Sequence, residues 1–475
     1  MPLNFFTRIR NFASTYWRAS TYWRASTNWR ASTNWRASAN PVTMRYAIDG
    51  MLAAFATNIA SINNHLFALR LGAGDYQLSL VQFMPQIFTM LILIPGGLFA
   101  GSLHNKRRMI TGALIAGALG YLFCAISPFL KFTNPGNGTA AVHSIYFYLA
   151  FLSLAVGSMA TYNISWQSFL PEVVKVHERN RVLTVRTRMD FFISIPLPLL
   201  TGGILLQFVT NKEKIIVHQC FYVCAALFLV LAVINYHHIK AVQPVAPKRV
   251  SFSEIKNGIR SLLHNKQYLL FMGTALFFYM TWHFDWTLYF IGQVKYLKMN
   301  EFQVGLTTLG ATTAQFLTLR FWSRQNEKHG VVLPVTFGIV GLSLCPIVMI
   351  IAASFPVSIA PFIFLPFTFL ANLGLASVTL NMLQCLLQVV DEEYRSFSIS
   401  VYTCLVCLSN AVMPVAGVAL YRSLGADRNG LRYTFAIIFA LRIAAACLWL
   451  LRRKAQREEF KPRGNTEGEK DTVCL

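Results

Sequence analysis

The sequence predicts an all-α polytopic membrane protein, with twelve transmembrane helices in two six-helix bundles and both termini inside. Three observations lead to this fold class. Of the 475 residues, 55% are hydrophobic and only 13% are charged, against about 25% charged in an ordinary soluble protein. Apolar runs of spanning length recur along the chain, and most basic residues lie on one side of them. This composition excludes a cytosolic enzyme and a disordered chain, because neither could solvate so much apolar surface.

Twelve apolar runs have the length of a spanning helix, which needs about 20 mostly apolar residues. Each is predicted to be helical because a helix satisfies its own backbone hydrogen bonds in lipid. Six runs precede a polar segment at 239–266 and six follow it. They lie near 46–69, 77–101, 109–130, 144–167, 187–209, 217–238, 267–292, 302–321, 331–353, 359–388, 396–421 and 432–452.

The basic residues predict the orientation of these runs. With both termini inside, 32 of the 42 lysines and arginines fall in inner segments, as the positive-inside rule requires. This topology accounts for the net charge of +23, so we expect no nucleic-acid partner. The predicted organisation is a cytoplasmic N-tail (1–45), a first bundle (46–238), a cytoplasmic central loop (239–266), a second bundle (267–452) and a cytoplasmic C-tail (453–475).

The N-tail carries a tandem hexapeptide repeat over residues 13–40 in which each tryptophan is followed by an arginine. Two interpretations stay open. The repeat is either a cationic, aromatic anchor on the inner leaflet or an expansion in a tolerant tail.

The two halves repeat each other. The segment Asp75–Leu80 opens the second run and Glu301–Leu306 opens the eighth, and both read acid, aromatic, Gln, aliphatic, any residue, Leu. Six spans per half would give both copies the same orientation in the membrane. The sequence therefore predicts parallel repeats related by an axis along the membrane normal.

Six plus six runs with a basic turn after the second resemble the major facilitator superfamily of secondary transporters. The family's motif between spans two and three is matched here by its first glycine and its basic cluster, while Gly101 stands where an aspartate belongs. The resemblance implies a gating role for residues in this turn and its second-half counterpart: Gly97, Lys106, Arg107, Arg108 and Arg324.

The resemblance also implies a solute cavity lined by spans one, four, seven and ten. Polar and aromatic residues recur on one face of each of these runs. In spans one, four and ten, each polar group could instead bond to a neighbouring helix. The candidate substrate-binding residues are Asn58, Ser61, His65, Tyr162, Trp166, Tyr279, Trp282, Trp286, Asn372 and Thr379.

Span seven carries the candidate proton-coupling residues, His283 and Asp285. Desolvation favours a neutral carboxyl group, and histidine titrates closest to physiological pH. The alternative is a buried pair that only fixes helix packing. Asp49 is expected to be hydrated or to cap its helix near the inner interface. Asp190, four residues after Arg186, is expected to form a local ion pair with it.

These features predict a secondary transporter that works by alternating access on a sugar-like or other small polar organic solute, with proton symport as a hypothesis. Alternatives are an exporter of drug-like solutes and a non-transporting sensor or scaffold. We expect no enzyme activity, since no nucleophile–base set stands out, and no cofactor or metal. The expected partners are the solute and the lipid bilayer, and the protein is expected to be a monomer. The expected location is the cell membrane, with a bacterial inner membrane favoured and a eukaryotic membrane left open.

Overall fold

The computed structural model describes residues 41–102, 106–130, 143–174, 176–239, 260–390 and 395–459, and regular structure within these ranges is entirely helical. The hexapeptide repeat, the C-tail beyond 459 and most of the central loop lie outside the described residues. The all-α prediction is confirmed.

Seven helices form the first half of the described chain. They are α1 (Pro41–Arg70), α2 (Asp75–Ser102), α3 (Lys106–Ile126), α4 (His143–Val173), α5 (Val176–Ser194), α6 (Leu197–Leu205) and α7 (Asn211–His237).

Eight helices form the second half. They are α8 (Lys266–His283), α9 (Trp286–Ile291), α10 (Glu301–His329), α11 (Val332–Ala352), α12 (Ala360–Ala371), α13 (Leu375–Leu387), α14 (Arg395–Ser423) and α15 (Arg428–Glu459).

Three of the predicted runs are interrupted. Run five breaks between α5 and α6 at Pro196, whose ring crowds the preceding turn and which lacks a backbone donor. Run seven breaks between α8 and α9 at Asp285, which has φ −101° and ψ 1°. In run ten, a short 3₁₀ turn at Asn372–Gly374 separates α12 from α13. The sequence pattern predicted the apolar runs but not these breaks.

Eight apolar segments of the described chain are long and apolar enough to cross a membrane by length and composition. Four predicted runs do not meet this criterion of length and apolar composition, and they correspond to α1, α5–α6, α8–α9 and α10. The count of twelve spans therefore stays a prediction. These four contact one another: α1 packs on α5, α6 packs on α10, and His65 of α1 lies against Phe290 of α9. Helices shielded by protein can carry polar residues that lipid would exclude.

The helices pack as two groups that meet along two seams. In the first half α3 and α2 pack on α4, and α7 packs on α1 and α3. In the second half α11 packs on α13 and α15, and α8 packs on α14 and α15. Among the described residues, the most extensive contacts between the halves, which form these two seams, are α2 with α14 and α6 with α10. We call the end of the bundle that carries Arg70, Asp75 and Glu301 the outer end, following the orientation predicted from charge.

Candidate functional site

Charged side chains from opposite halves join at the outer end. Glu301 begins α10, where Asn300 caps the helix by accepting a bond from the Gln303 amide at 2.9 Å. Its carboxylate forms ion pairs with Arg70 at the end of α1 and with Lys214 in α7, the latter at 2.6 Å. Glu301 is only 5% exposed, so this second-half carboxylate holds two first-half cations with little access to water.

Asp75, the counterpart of Glu301 in the first repeat, makes the reciprocal contact. Its carboxylate lies 3.7 Å from the ammonium of Lys295 in the second half. Arg422 of α14 stacks over the Tyr76 ring at 4.8 Å, which adds a cation–π contact along the same seam. The repeat seen in the sequence therefore places an acid on each side of the boundary between the halves.

Backbone packing completes the contact between α6 and α10. A Cβ atom added at Gly305 would lie 2.6 Å from the Pro198 carbonyl oxygen, and one added at Gly202 would lie 2.8 Å from the Phe302 Cα. Only glycine permits so close an approach. We call the ion pairs of Glu301 and Asp75, together with this glycine contact, the outer seal.

A cavity of about 330 Å³ opens elsewhere, between α1, α4 and α5. Its walls come from residues 50–57 near the middle of α1, 159–166 just past the middle of α4 and 183–190 of α5, away from the outer seal. The lining residues are Gly50, Ala53, Ala54, Thr57, Met159, Tyr162, Asn163, Trp166, Leu183, Arg186 and Asp190.

Arg186 organises the cavity wall. One terminal nitrogen donates to the Asp49 carboxylate at 2.6 Å and the other to the Tyr162 hydroxyl at 2.7 Å. The Tyr162 hydroxyl in turn donates to the same Asp49 oxygen at 2.5 Å. The guanidinium also stacks over the Trp166 ring at 3.9 Å. The stem of Arg186 crosses α1 at Gly50, where a Cβ atom would collide with it.

Two expectations about these charges are wrong. Asp49 is fully buried rather than hydrated at the interface, because the bundle closes around it and supplies Arg186 and Tyr162 as partners. Arg186 does not pair with Asp190 one turn later on α5. Asp190 is exposed and accepts only from the Ser194 hydroxyl, at 3.3 Å, among the described residues. Tertiary contacts to α1 and α4 outcompete the local pair.

The predicted residues of span four both line the cavity. Tyr162 is 1% exposed and Trp166 is 7% exposed, and both contact Arg186. Trp166 donates its indole N–H to the Asn163 side-chain oxygen at 3.2 Å. The predicted residues of span one are not among those lining it. The polar groups of this face of α1 bond mainly to other groups of the protein.

The three α1 candidates, Asn58, Ser61 and His65, make different contacts. Asn58 donates to the Ser194 hydroxyl of α5 at 3.0 Å. Ser61 is exposed and donates to the Asn58 carbonyl at 3.3 Å. The His65 ring lies tilted against the Phe290 ring of the second half, with centroids 5.3 Å apart, and its buried Nε2 has no hydrogen-bond partner among the described residues.

The aromatic stripe of span seven forms one cluster. Trp286 lies edge-on to the Trp282 ring at 5.6 Å and to the His283 ring at 4.7 Å. Tyr279 shares a hydroxyl–hydroxyl bond of 2.7 Å with Tyr402 of α14. The three predicted aromatics stay partly exposed, while His283 is buried and its Nδ1 lies 3.1 Å from the Ser409 hydroxyl.

Asp285 is fully buried beside Arg442, and both carboxylate oxygens accept from the same guanidinium nitrogen at 2.7 Å. Arg442 also donates to three backbone carbonyls, those of Thr281, Trp282 and Leu342. Carbonyls at the end of a helix lack intrahelical donors, so Arg442 caps α8 where the run breaks. His283 and Asp285 form no pair with each other; each has its own partner.

The remaining candidates lie apart from the cavity. In span ten, Asn372 donates to the Thr368 carbonyl at 2.8 Å, and Thr379 accepts from Gln315 of α10 at 3.0 Å. At the basic turn, Lys106 reaches the Ser168 carbonyl at 3.3 Å.

The other gating candidates are Arg107, Arg108, Arg324 and Gly97. Arg107 donates to the His237 carbonyl. Arg108 and Arg324 are exposed. Gly97 lies within α2, in a stretch whose side-chain surroundings fall outside the described residues.

Sequence reasoning missed the arginine partners of both buried aspartates and the contacts of the outer seal. A partner for Arg442 could have been predicted, because a charged residue inside an apolar run is costly in free energy and needs a partner. Within the described ranges, no group of three or more His, Cys, Asp or Glu side chains could hold a metal ion.

Two helical halves sealed at one end, with a polar cavity between helices elsewhere, define a multi-pass membrane transporter for a small-molecule solute. The chain belongs to the Major Facilitator Superfamily, whose family model matches residues 47–294 and 283–472. The resemblance predicted from the sequence is confirmed. A comparison with curated protein sequences returned no match.

Solved structures with the same fold include several transporters. The POT family transporter PepTSo aligns with a TM-score of 0.68 at 14% identity, over 88% of this chain and 98% of that chain. A bacterial homologue of the iron transporter ferroportin, in an inward-facing state, gives 0.64 at 11% identity, over 87% and 99%. A bacterial homologue of the human lysosomal transporter Spinster, inward-facing and unoccupied, gives 0.63 at 12% identity, over 89% and 98%. At these identities the likeness is one of fold.

Proposed function

We propose that the protein is a secondary transporter that moves a small polar organic solute by alternating access, and that the described conformation is closed outside and open inside. The observation that carries the proposal is an asymmetry between the ends of the bundle. Ion pairs and a glycine contact join the halves at the outer end, whereas the cavity lies away from that end. Rocking of the halves against each other would break the contacts of the outer end and form another set elsewhere.

The cavity favours a small polar solute over a drug-like one. Its volume of about 330 Å³ is at the low end of the range of about 300–1,000 Å³ for ligand sites. Its walls carry Arg186, Asp190 and Asn163, and a hydrophobic drug would desolvate these groups without bonding to them. The exporter of drug-like solutes is therefore the weaker alternative.

Proton coupling at Asp285 and His283 remains a hypothesis. Because Asp285 is paired with Arg442, its protonation would weaken the contact that fixes the break between α8 and α9. That break lies next to the aromatic cluster of Trp282 and Trp286, so the paired aspartate sits where a change in charge would alter helix geometry. If the pair of Asp285 and Arg442 has only a structural role, a proton gradient should have no effect on solute accumulation.

Flux in reconstituted vesicles tests the transport proposal. Purified protein is placed in liposomes and screened against labelled amino acids, sugars, nucleosides and a lipophilic amine, with protein-free liposomes as background. Saturable uptake of one polar class supports the proposal. Absence of flux for every class, from protein shown to be folded, supports a sensor or scaffold instead.

Two neighbouring glycines provide a matched pair of variants for the outer seal. Gly202→Leu places a side chain against the Phe302 backbone, whereas Gly203 has nothing within 4 Å of an added Cβ atom. If the seal must form during transport, Gly202→Leu abolishes flux and Gly203→Leu retains it. Equal flux in the two variants contradicts a role for the seal.

A further inference from the structure

The wall of the cavity holds two opposite charges that do not neutralise each other. Arg186 and Asp190 lie four residues apart on α5, a spacing that puts their Cβ atoms about 5–6 Å apart on one helix face. Both line the cavity. Such a pair can join on a helix surface, yet the Arg186 guanidinium is directed to Asp49 instead. The site is therefore built with its two charges kept separate.

Arg186 retains donors that the protein does not use. A guanidinium has five N–H groups. Among the described residues, its hydrogen bonds go to Asp49 and Tyr162, one from each terminal nitrogen. The Arg186 side chain is 12% exposed, and it forms part of the cavity wall. Asp49 and Tyr162 take two of the five N–H groups, and the remaining three are left for a solute carboxylate that binds without displacing either residue.

Asp190 is the uncompensated charge. Arg186 and the buried Asp49 cancel each other, which leaves the Asp190 carboxylate as the excess charge of the cavity wall. It makes no ion pair among the described residues, and only Ser194 donates a hydrogen bond to its side chain. A carboxylate in a narrow polar cavity attracts a cation and repels an anion.

We propose that the solute is a small dipolar molecule of the amino-acid type, whose ammonium group binds Asp190 and whose carboxylate binds Arg186. This inference rests on the proposed transport function and names its substrate class. A simple cation would leave the Arg186 donors unused, and a simple anion would meet the Asp190 charge. A sugar would leave Asp190 without a counter-charge. A solute whose two charges are a few bonds apart satisfies both residues within the volume of the cavity.

Equilibrium binding to full-length protein in detergent tests this class without requiring transport. The twenty standard amino acids, glycine betaine and glucose are screened first by the shift they cause in the unfolding temperature. Calorimetry then compares the tightest amino acid with its amino alcohol, which lacks the carboxylate, and with its deaminated acid, which lacks the ammonium group. Each analogue should bind about 10- to 100-fold more weakly, as expected for the loss of a charge-assisted hydrogen bond.

Asp190→Asn should weaken binding of the amino acid by a similar factor, whereas binding of the amine-free analogue should become tighter, because this anion no longer meets the Asp190 charge. Asp190→Glu should restore part of the loss. The matched control is Glu327→Gln, an exposed carboxylate on α10 outside the cavity, and it should bind like the unmodified protein. A preference for glucose, equal binding of the truncated analogues, or no effect of Asp190→Asn would each overturn the inference.

The two proposals fail in different ways. Binding of an amino acid without vesicle flux would leave the dipolar site standing and reject transport. Flux of sugars or nucleosides with no binding of dipolar solutes would leave transport standing and reject the dipolar site.

Discussion

Neutralising Glu301 should shift the protein toward a conformation that is open on the outer side. In Glu301→Gln, the amide keeps the size of the side chain but leaves Arg70 and Lys214 without their counter-charge. Both cations are less than a third exposed, at 27% and 13%. Removing one partner of a buried pair costs about 3–5 kcal/mol. Because water reaches part of Arg70, we expect about 2 kcal/mol here, which is roughly a 30-fold shift in the equilibrium.

Asp75→Asn is the matched control, since Asp75 occupies the equivalent position of the other repeat. Its partner Lys295 is 45% exposed and 3.7 Å away. Exposed pairs contribute about 0–1 kcal/mol, so we expect less than about a fivefold shift. The two repeat-related acids should therefore differ in effect although their sequence motifs match.

Thiol labelling from the outer side measures this shift. Thr201, which is 2% exposed beneath the outer seal, is replaced by cysteine in a background without the nine native cysteines. A membrane-impermeant reagent should modify it about 30-fold faster in Glu301→Gln than in the parent, and less than about fivefold faster in Asp75→Asn. Equal rates in folded Glu301→Gln and parent protein would refute the idea that this ion-pair cluster stabilises the closed outer end.

Two further predictions concern the buried aspartates. Gly50→Ala should displace the Arg186 stem and lower stability by about 1–3 kcal/mol through overpacking. Gly112→Ala is the control and should be neutral or stabilising, because nothing lies within 4 Å of the new atom. Thermal unfolding in detergent compares the two variants, and equal unfolding temperatures would contradict the placement of Arg186. Asp285→Asn should lower stability by about 3–5 kcal/mol because Arg442 loses its counter-charge, and under the coupling hypothesis it should also abolish pH-driven accumulation while leaving solute exchange intact. Adding Arg442→Met should restore only part of the stability, because it removes the unpaired charge but also the bonds to three backbone carbonyls. It should not restore the accumulation, and a double variant that accumulates solute under a proton gradient would assign Asp285 a structural role only.

The sequence predicted best those features of the site that depend on a single helix. The aromatic stripe of Tyr279, Trp282 and Trp286 follows from helical spacing, and these residues do form one partly exposed cluster. The repeated acids Asp75 and Glu301 were found from a matching hexapeptide, although nothing local indicated which cations they would meet. Helix periodicity fixes which residues share a face, but not which helix faces them.

The class of protein was determined by the sequence itself. Apolar runs of helical length in a chain with 55% hydrophobic residues can satisfy their backbone in lipid as helices, and their number and repeat indicated the family that the family model shows. The partners of the buried charges were decided by tertiary structure alone. Asp49 meets Arg186 across 137 positions and Asp285 meets Arg442 across 157. Such contacts depend on how the helices cross and rotate in the bundle, and a local pattern such as Arg186 with Asp190 gives way to them because burial strengthens the distant pair.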